Sequence, residues 1–143
     1  MKAVLEGITN AGVSMPMSLP PNAVPADISH NTAGLPEADF GKLVATSSFS
    51  MAGIGTFAHQ IIVFQANDAS SAAEIKRIVS SDGGYDPKKW ICVYPEKVIA
   101  VDSGSYVLLA ASYSNVCDAA VEAFKEATGG LGSVITFWEF SDD

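Results

Sequence analysis

Basic residues are scarce in this sequence. Eight lysines and arginines stand against sixteen aspartates and glutamates, so the formal net charge at pH 7 is −8. A surface of this charge repels the phosphate backbones of nucleic acids and the headgroups of anionic membranes. The composition therefore argues against nucleic acid as a partner.

Cysteine is also scarce, with only Cys92 and Cys117 among 143 residues. Neither lies in a CxxC motif or beside a second metal-ligating residue, so the sequence offers no disulfide framework and no metal site. Two interpretations stay open for the pair. They are two small buried apolar side chains, or they form one disulfide between Cys92 and Cys117.

Long apolar runs are missing as well. Polar residues such as Gln65, Asp102 and Glu139 interrupt the longest candidates before they reach the ~20 residues of a transmembrane helix. Glu6 follows the start too soon for the apolar stretch of about 7–15 residues in a signal peptide. The chain shows no leader, although a chain that begins after a removed leader would look the same. Its length predicts one domain, residues 1–143.

Residues 1–56 form an irregular N-terminal region in this prediction. Five prolines between residues 14 and 36 exclude a regular helix or central strand there. Short helical patterns flank them, one over residues 2–10 and one that begins at Pro36, where acidic residues follow in the first turn. The small residues of 47–55 predict a flexible or tightly packed connection to the core, residues 57–140.

In the core, the apolar periodicity switches repeatedly between strand and helix. The predicted elements are strand 57–66, a helix containing 72–79, strands 97–101 and 106–111 around a turn, a helix between 114 and 129, and strand 134–138. This order is that of the ferredoxin-like split βαβ fold, an α+β architecture. With right-handed crossovers it predicts a four-stranded antiparallel sheet, with the first and third strands central and both helices on one face.

The second face of this sheet must also be covered. Residues 61–64 and 106–111 are apolar on both faces, whereas a solvated face would alternate apolar and polar residues. Either the N-terminal region or a second subunit would supply the cover. The N-terminal region is favoured because it carries apolar residues with no other explanation: Met15, Met17, Leu19, Val24 and Ile28.

Motifs for catalysis or cofactor binding are absent from the sequence. It contains no GxxxxGK[ST], GxGxxG, GxSxG or HExxH pattern. Strand 106–111 lacks the basic residues of an RNA-recognition motif, and loop 66–71 lacks the cysteines of metal chaperones with this fold. We therefore assign no catalytic residue, no cofactor and no metal.

Two places carry candidate site residues. His59 is a candidate because a histidine imidazole ordinarily titrates near neutrality, but no serine, cysteine or aspartate close in sequence would orient it, so a structural role is favoured over that of a general base. The second place is the loop that follows the first core helix, which is either a binding loop or a loop anchored by its aromatic side chains. Its candidate binding residues are Tyr85, Lys88, Lys89, Trp90 and Tyr94.

Two segments carry a family resemblance. The first runs from Ala58 through the strand 61–64 to Asp68 and the helix 72–76; the second runs from Tyr85 through the hairpin 98–112. Over about residues 35–115 they resemble the bacterial family named domain of unknown function 4358, with Ser105 where asparagine is common. Loop 80–84 is shorter than the basic segment usual in that family. The resemblance implies a secreted or lipid-anchored envelope protein, and no activity.

The sequence favours a noncatalytic binding or assembly module at the cell envelope, whose partner is a protein or a small molecule. One alternative is a small dimeric α+β-barrel enzyme with a cavity near His59. Another is a ligand-sensing domain with a cavity at a subunit boundary. A monomer is favoured, whereas both alternatives require a homodimer.

Overall fold

The fold is taken from a computed structural model that describes residues 1–13, 21–51, 58–81, 83–89 and 94–139. Its helices are α1 (Lys2–Asn10), α2 (Ser29–Ala33), α3 (Glu37–Leu43), α4 (Ala69–Ser80) and α5 (Ser114–Thr128), with a 3-10 turn at Ala26–Ile28. Its strands are β1 (Val44–Met51), β2 (Gln60–Ala66), β3 (Lys97–Ser103), β4 (Tyr106–Ser112) and β5 (Ile135–Glu139).

The predicted order of core elements is confirmed, and local chemistry explains several of the boundaries. The Asp68 side chain accepts a hydrogen bond from the Ser71 amide at 2.7 Å, which caps the start of α4. Gly129 ends α5 in the left-handed conformation, with φ of 84°. These signals are local, which is why the sequence pattern locates them well.

The sheet has five antiparallel strands in the order β1-β2-β4-β3-β5, so the class is α+β but the ferredoxin-like arrangement is wrong. A ferredoxin-like sheet would place the last strand beside β2. Here β5 pairs with β3, and β1 takes the place beside β2. The predicted pairing of β2 with β4 is present, and β3 is also an interior strand.

The two core helices lie on opposite faces, which corrects the prediction that they share one. Ala72, Ile75 and Val79 of α4 pack in one core, which we call the α4-side core. Val116, Ala120 and Phe124 of α5 pack in another, the α5-side core. The chain crosses from β2 to β3 and from β4 to β5 in the same direction along the sheet, but β2 and β4 are antiparallel. Two right-handed crossovers then place their helices on opposite faces.

This arrangement explains why the strands are apolar on both faces. Ile62 and Leu109 pack in the α4-side core, whereas Ile61 and Leu108 pack in the α5-side core. Successive strand residues alternate between the faces, so a sheet with helices on both sides needs both sets of residues to be apolar. The molecule has three layers, and the sheet is the middle one.

The N-terminal region is divided between the two outer layers instead of covering one face. In α1, Val4 and Ile8 pack against α5 in the α5-side core, whereas Val24 and Leu35 belong to the α4-side core. Ile28, predicted to help cover the sheet, is 47% exposed. Met15, Met17 and Leu19 lie outside the described residues.

Strand β1 corrects the prediction of a flexible or tightly packed connection over 47–55, because residues 47–51 belong to a paired strand. Residues 52–55 lie outside the described part. The sequence of β1 includes Thr46, Ser47 and Ser48, which have no strong strand pattern, yet they pair with β2 in register. Its outer edge is partly closed, because Asn22 and Phe49 exchange two backbone hydrogen bonds of 3.0 and 2.7 Å. Pairing with β2, and not a local sequence pattern, thus makes this segment a strand.

Candidate functional site

The last strand, β5, presents two adjacent aromatic residues on one side of the sheet. Trp138 lies opposite Val98 and Thr136 lies opposite Ile99, so Phe137 is an extra residue in the ladder. Adjacent residues of a regular strand face opposite sides of the sheet. The extra residue of a bulge breaks this alternation, so two adjacent side chains can face the same side. Both Phe137 and Trp138 consequently pack against the α4-side core, where each stays half-buried.

The loop that follows α4 supplies the third aromatic ring. The Tyr85 amide donates to Val79 O at 2.9 Å, which holds the loop against the end of α4. The Tyr85 ring meets the Phe137 ring nearly at right angles, with centroids 6.5 Å apart. Gly34, with φ of 77°, allows the backbone of residue 85 to approach, since a Cβ at Gly34 would collide with the Tyr85 nitrogen.

These residues border a cleft of about 480 Å³, which we call the aromatic cleft. It is lined by His30, Tyr85, Asp86, Pro87, Phe137 and Trp138, together with the end of α4. The His30 Nε2 atom is 2.9 Å from Gly83 O, which ties α2 to the loop. A concave site that combines several rings with polar side chains, here His30, Ser80, Ser81 and Asp86, is typical of a ligand or peptide pocket.

Two predicted loop residues surround the outer side of Trp138. The Lys88 ammonium lies 5.8 Å from the Trp138 ring centroid, within the range of a cation–π contact. The Tyr94 ring lies 6.3 Å from the same indole. The indole Nε1 donates to Pro95 O at 3.1 Å, which fixes the orientation of the ring. Trp138 is therefore positioned before any ligand binds.

A buried polar network supports the cleft from behind. The Gln60 side-chain oxygen, at the start of β2, accepts hydrogen bonds from Tyr85 OH at 2.8 Å and from Lys89 Nζ at 2.7 Å. Lys89 also donates to Thr32 O at 2.8 Å and lies 4.7 Å from the Tyr85 ring centroid. Burial lowers the pKa of Lys89 to about 8 and raises the pKa of Tyr85. Lys89 supports the loop instead of lining the cleft.

His59 lies apart from the aromatic cleft. Its side chain is 1% exposed, and its Nδ1 is 2.7 Å from Ser112 Oγ, which is also buried. Burial lowers the pKa of His59 to about 4, so the ring is neutral near pH 7. Its Nε2 has no hydrogen-bond partner in the described structure. A general base must reach a substrate, and this ring is enclosed.

Cys117 is a free thiol within the α5-side core. Its Sγ lies 3.4 Å from Lys97 O and 3.7 Å from Ala110 O, and burial raises its pKa to about 12. The thiolate form, which reacts and binds metals, is therefore disfavoured. Cys92 lies outside the described residues, and so does the predicted disulfide between the two.

Of the predicted binding residues, the structure brings Tyr85, Lys88 and Tyr94 to the aromatic cleft and its rim. Trp90 lies outside the described residues. The other lining residues were not among the predicted binding residues; they are His30, Ser80, Ser81, Gly83, Gly84, Asp86, Pro87, Phe137 and Trp138. The adjacent aromatics of the last strand were visible in the sequence, but the bulge that turns both rings to one side depends on pairing with β3.

Comparisons with protein-family models, with curated proteins and with solved structures find no match for this chain. In the described part of the chain, no helix is long and apolar enough to cross a membrane. Among those same residues, no three histidine, cysteine, aspartate or glutamate side chains converge as a metal site would require.

Proposed function

We propose that this protein is a noncatalytic binding module and that the aromatic cleft is its binding surface. The observation that carries the proposal is the convergence of three rings, those of Tyr85, Phe137 and Trp138, on one cleft of about 480 Å³. Hydrogen bonds to Gln60 and Pro95 hold two of these rings in place. Rings that are fixed in advance lose little conformational entropy when a ligand binds, which favours affinity.

The hydrogen bonding of the cleft supports binding over catalysis. The hydroxyls of Ser80 and Ser81 donate to carbonyls within α4, at 2.7 Å to Lys76 O and 2.8 Å to Ile78 O. His30 contacts Gly83 O through its Nε2. In the described cleft no nucleophile is paired with a base, and such a pair is the minimum for covalent catalysis. The buried His59–Ser112 pair does not line the cleft.

The envelope location and membership of the domain of unknown function 4358 family are part of this proposal. They rest on the resemblance over about residues 35–115. The dimeric α+β-barrel alternative requires a free sheet face on each subunit, whereas helices of the same chain pack on both faces here. The ligand-sensing alternative would use the same cleft, and a ligand-dependent dimer would distinguish it.

A test is a backbone-amide NMR titration of the full chain with a library of small aromatic and aliphatic compounds. We expect shifts clustered at residues 83–88 and 135–139. In a Trp138→Leu variant, affinity should fall about 30-fold, because an anchoring tryptophan contributes roughly 2 kcal/mol.

A Tyr106→Leu variant is the matched control, since Tyr106 is an exposed aromatic residue at the β3–β4 turn, away from the cleft. It should bind as the parent chain does. Because Trp138→Leu removes the hydrogen bond to Pro95 O, its amide spectrum must first show an intact fold. Ligand shifts that cluster away from the cleft, or that survive Trp138→Leu unchanged, would contradict the proposal.

A further inference from the structure

We propose that the ligand of the aromatic cleft is an extended peptide that pairs with the free edge of β5 as a sixth strand and inserts an apolar side chain into the cleft. This inference rests on the proposed function and names its partner class. Three features of the molecule support it: the difference between the two sheet edges, the bulge in β5 and the shape of the cleft.

The two edges of the sheet differ in how much of the chain pairs with them. At the β1 edge, Asn22 pairs with Phe49 through two backbone hydrogen bonds, and the Val24 amide donates to Ser47 Oγ at 3.0 Å. At the other edge, β5 pairs with β3 alone among the described residues. An edge strand left open offers a row of backbone donors and acceptors to another chain.

Strand β5 lacks two of the protections that open edges usually carry, since it contains no lysine and no proline. It is short and bulged at Phe137, and its one charged residue is Glu139. Val134, directly before it, is a large apolar residue that is 44% exposed. The missing lysine and proline, with an exposed apolar residue at the start of the strand, favour pairing with a strand from a partner.

The aromatic cleft lies beside this same strand. The bulge directs Phe137 and Trp138 to the α4 side, where the Tyr85 ring packs edge-on against Phe137 and also lines the cleft. In peptide recognition by strand addition, backbone hydrogen bonds supply affinity and pockets for alternate side chains supply specificity. The volume of about 480 Å³ is enough for one aromatic or large aliphatic side chain with room to spare.

A peptide fits this edge better than a second copy of the chain. Two copies that pair through β5 about a two-fold axis would form an isologous interface, which requires a self-complementary surface. Each copy contributes a concave cleft, and two concavities leave both unfilled. A peptide can fill the cleft with a side chain while its backbone pairs with β5. The net charge of −8 further favours basic peptides through long-range attraction.

The probe is a displayed library of random linear peptides, panned against the full chain with Trp138→Leu as the counter-selection and Tyr106→Leu as the control. We expect enriched peptides with an aromatic or large aliphatic residue near the middle. Each enriched peptide is then synthesised with a single N-methyl group at every position in turn. Methylation at alternate positions should weaken binding at least tenfold, because only every second amide of an added strand faces β5.

Amide hydrogen exchange of the full chain gives an independent readout. Peptide binding should slow exchange in β5 at residues 135–139, while exchange in β1 stays unchanged. Binding that survives N-methylation at every position, or slower exchange confined to residues 83–88, would overturn strand addition and leave the cleft as a pocket for a side chain or small molecule. If light scattering shows that the chain forms a dimer through β5, the partner at this edge is a second copy of the chain and the peptide proposal is wrong. If neither peptides nor small compounds bind the cleft, the proposed function fails as well.

Discussion

At the scale of single residues, the buried polar groups are closely matched to their partners. The Ser29 hydroxyl donates to Leu35 O at 2.7 Å, and the Gln60 oxygen accepts from both Tyr85 and Lys89. Among the described residues, His59 Nε2 is the buried side-chain atom that has no partner. A proton added to this ring would be enclosed without an acceptor, which is why burial lowers the pKa of His59.

The His59 ring predicts a loss of stability in mild acid. Its pKa is about 4 in the folded protein, against 6.5 for an unperturbed histidine, so between these values the unfolded chain binds a proton that the native state does not. Lowering the pH through this window therefore stabilises the unfolded chain. From pH 7 to pH 5 the free energy of unfolding should fall by about 2 kcal/mol from this group alone.

Urea unfolding at both pH values measures this effect. A His59→Gln variant should lose most of the difference, whereas the control His30→Gln should retain it because His30 is exposed. Equal pH dependence in the parent chain and in His59→Gln would contradict the assignment.

At the scale of elements, connections between neighbours decide where the site residues lie. Gln60 at the start of β2 joins the strand to the loop after α4 through Tyr85 and Lys89. Lys89 extends the same connection to Thr32, next to the end of α2. Three segments that are far apart in sequence thereby hold one wall of the aromatic cleft.

Replacing Gln60 tests this connection. Gln60→Leu leaves the Tyr85 hydroxyl and the Lys89 ammonium without their shared acceptor, and we expect a loss of about 3 kcal/mol in the free energy of unfolding. Amide exchange at residues 83–89 should become faster. The control is Gln65→Leu in the same strand, because Gln65 bonds Thr46 in an exposed position and its loss should cost at most about 0.5 kcal/mol.

Chemical denaturation and hydrogen exchange measure the two effects. Equal destabilisation by both glutamine variants would show that the Gln60 network does not hold the loop.

At the scale of the whole molecule, two cores share one sheet. The α4-side and α5-side cores use alternate residues of the same strands, so disrupting one core disturbs the support of the other. The N-terminal region contributes to both, through α1 on one side and through Val24 and Leu35 on the other. We therefore expect residues 1–143 to unfold as one cooperative unit.

The isoleucines of the N-terminal region test this expectation. Ile8 is fully buried in the α5-side core, whereas Ile28 is 47% exposed. Ile8→Ala should cost about 2–5 kcal/mol, and Ile28→Ala at most about 0.5 kcal/mol. In both variants, circular dichroism and the tryptophan fluorescence to which Trp138 contributes should report one transition. An Ile8→Ala protein in which the two signals separate would show that the layers unfold independently.

The sequence by itself determined the elements whose signals are local. Helical spacing and caps located α4 and α5, and apolar runs around Gly104 located the β3–β4 hairpin. The apolar residues on both strand faces correctly required cover on both sides. The loop aromatics drew attention to Tyr85, whose ring borders the aromatic cleft. These features depend on residues close together in the chain, where short-range physical chemistry acts.

Only the tertiary structure decided which edge received the last strand, and most consequences follow from that choice. With β5 beside β3, the two helices separate to opposite faces, β1 fills the vacant edge, and the bulge at Phe137 forms against β3. Strand pairing is a competition among distant segments, and its free energy depends on packing that no local pattern specifies. For the same reason, the sequence revealed the loop but not the ring pair, Phe137 and Trp138, that completes the aromatic cleft.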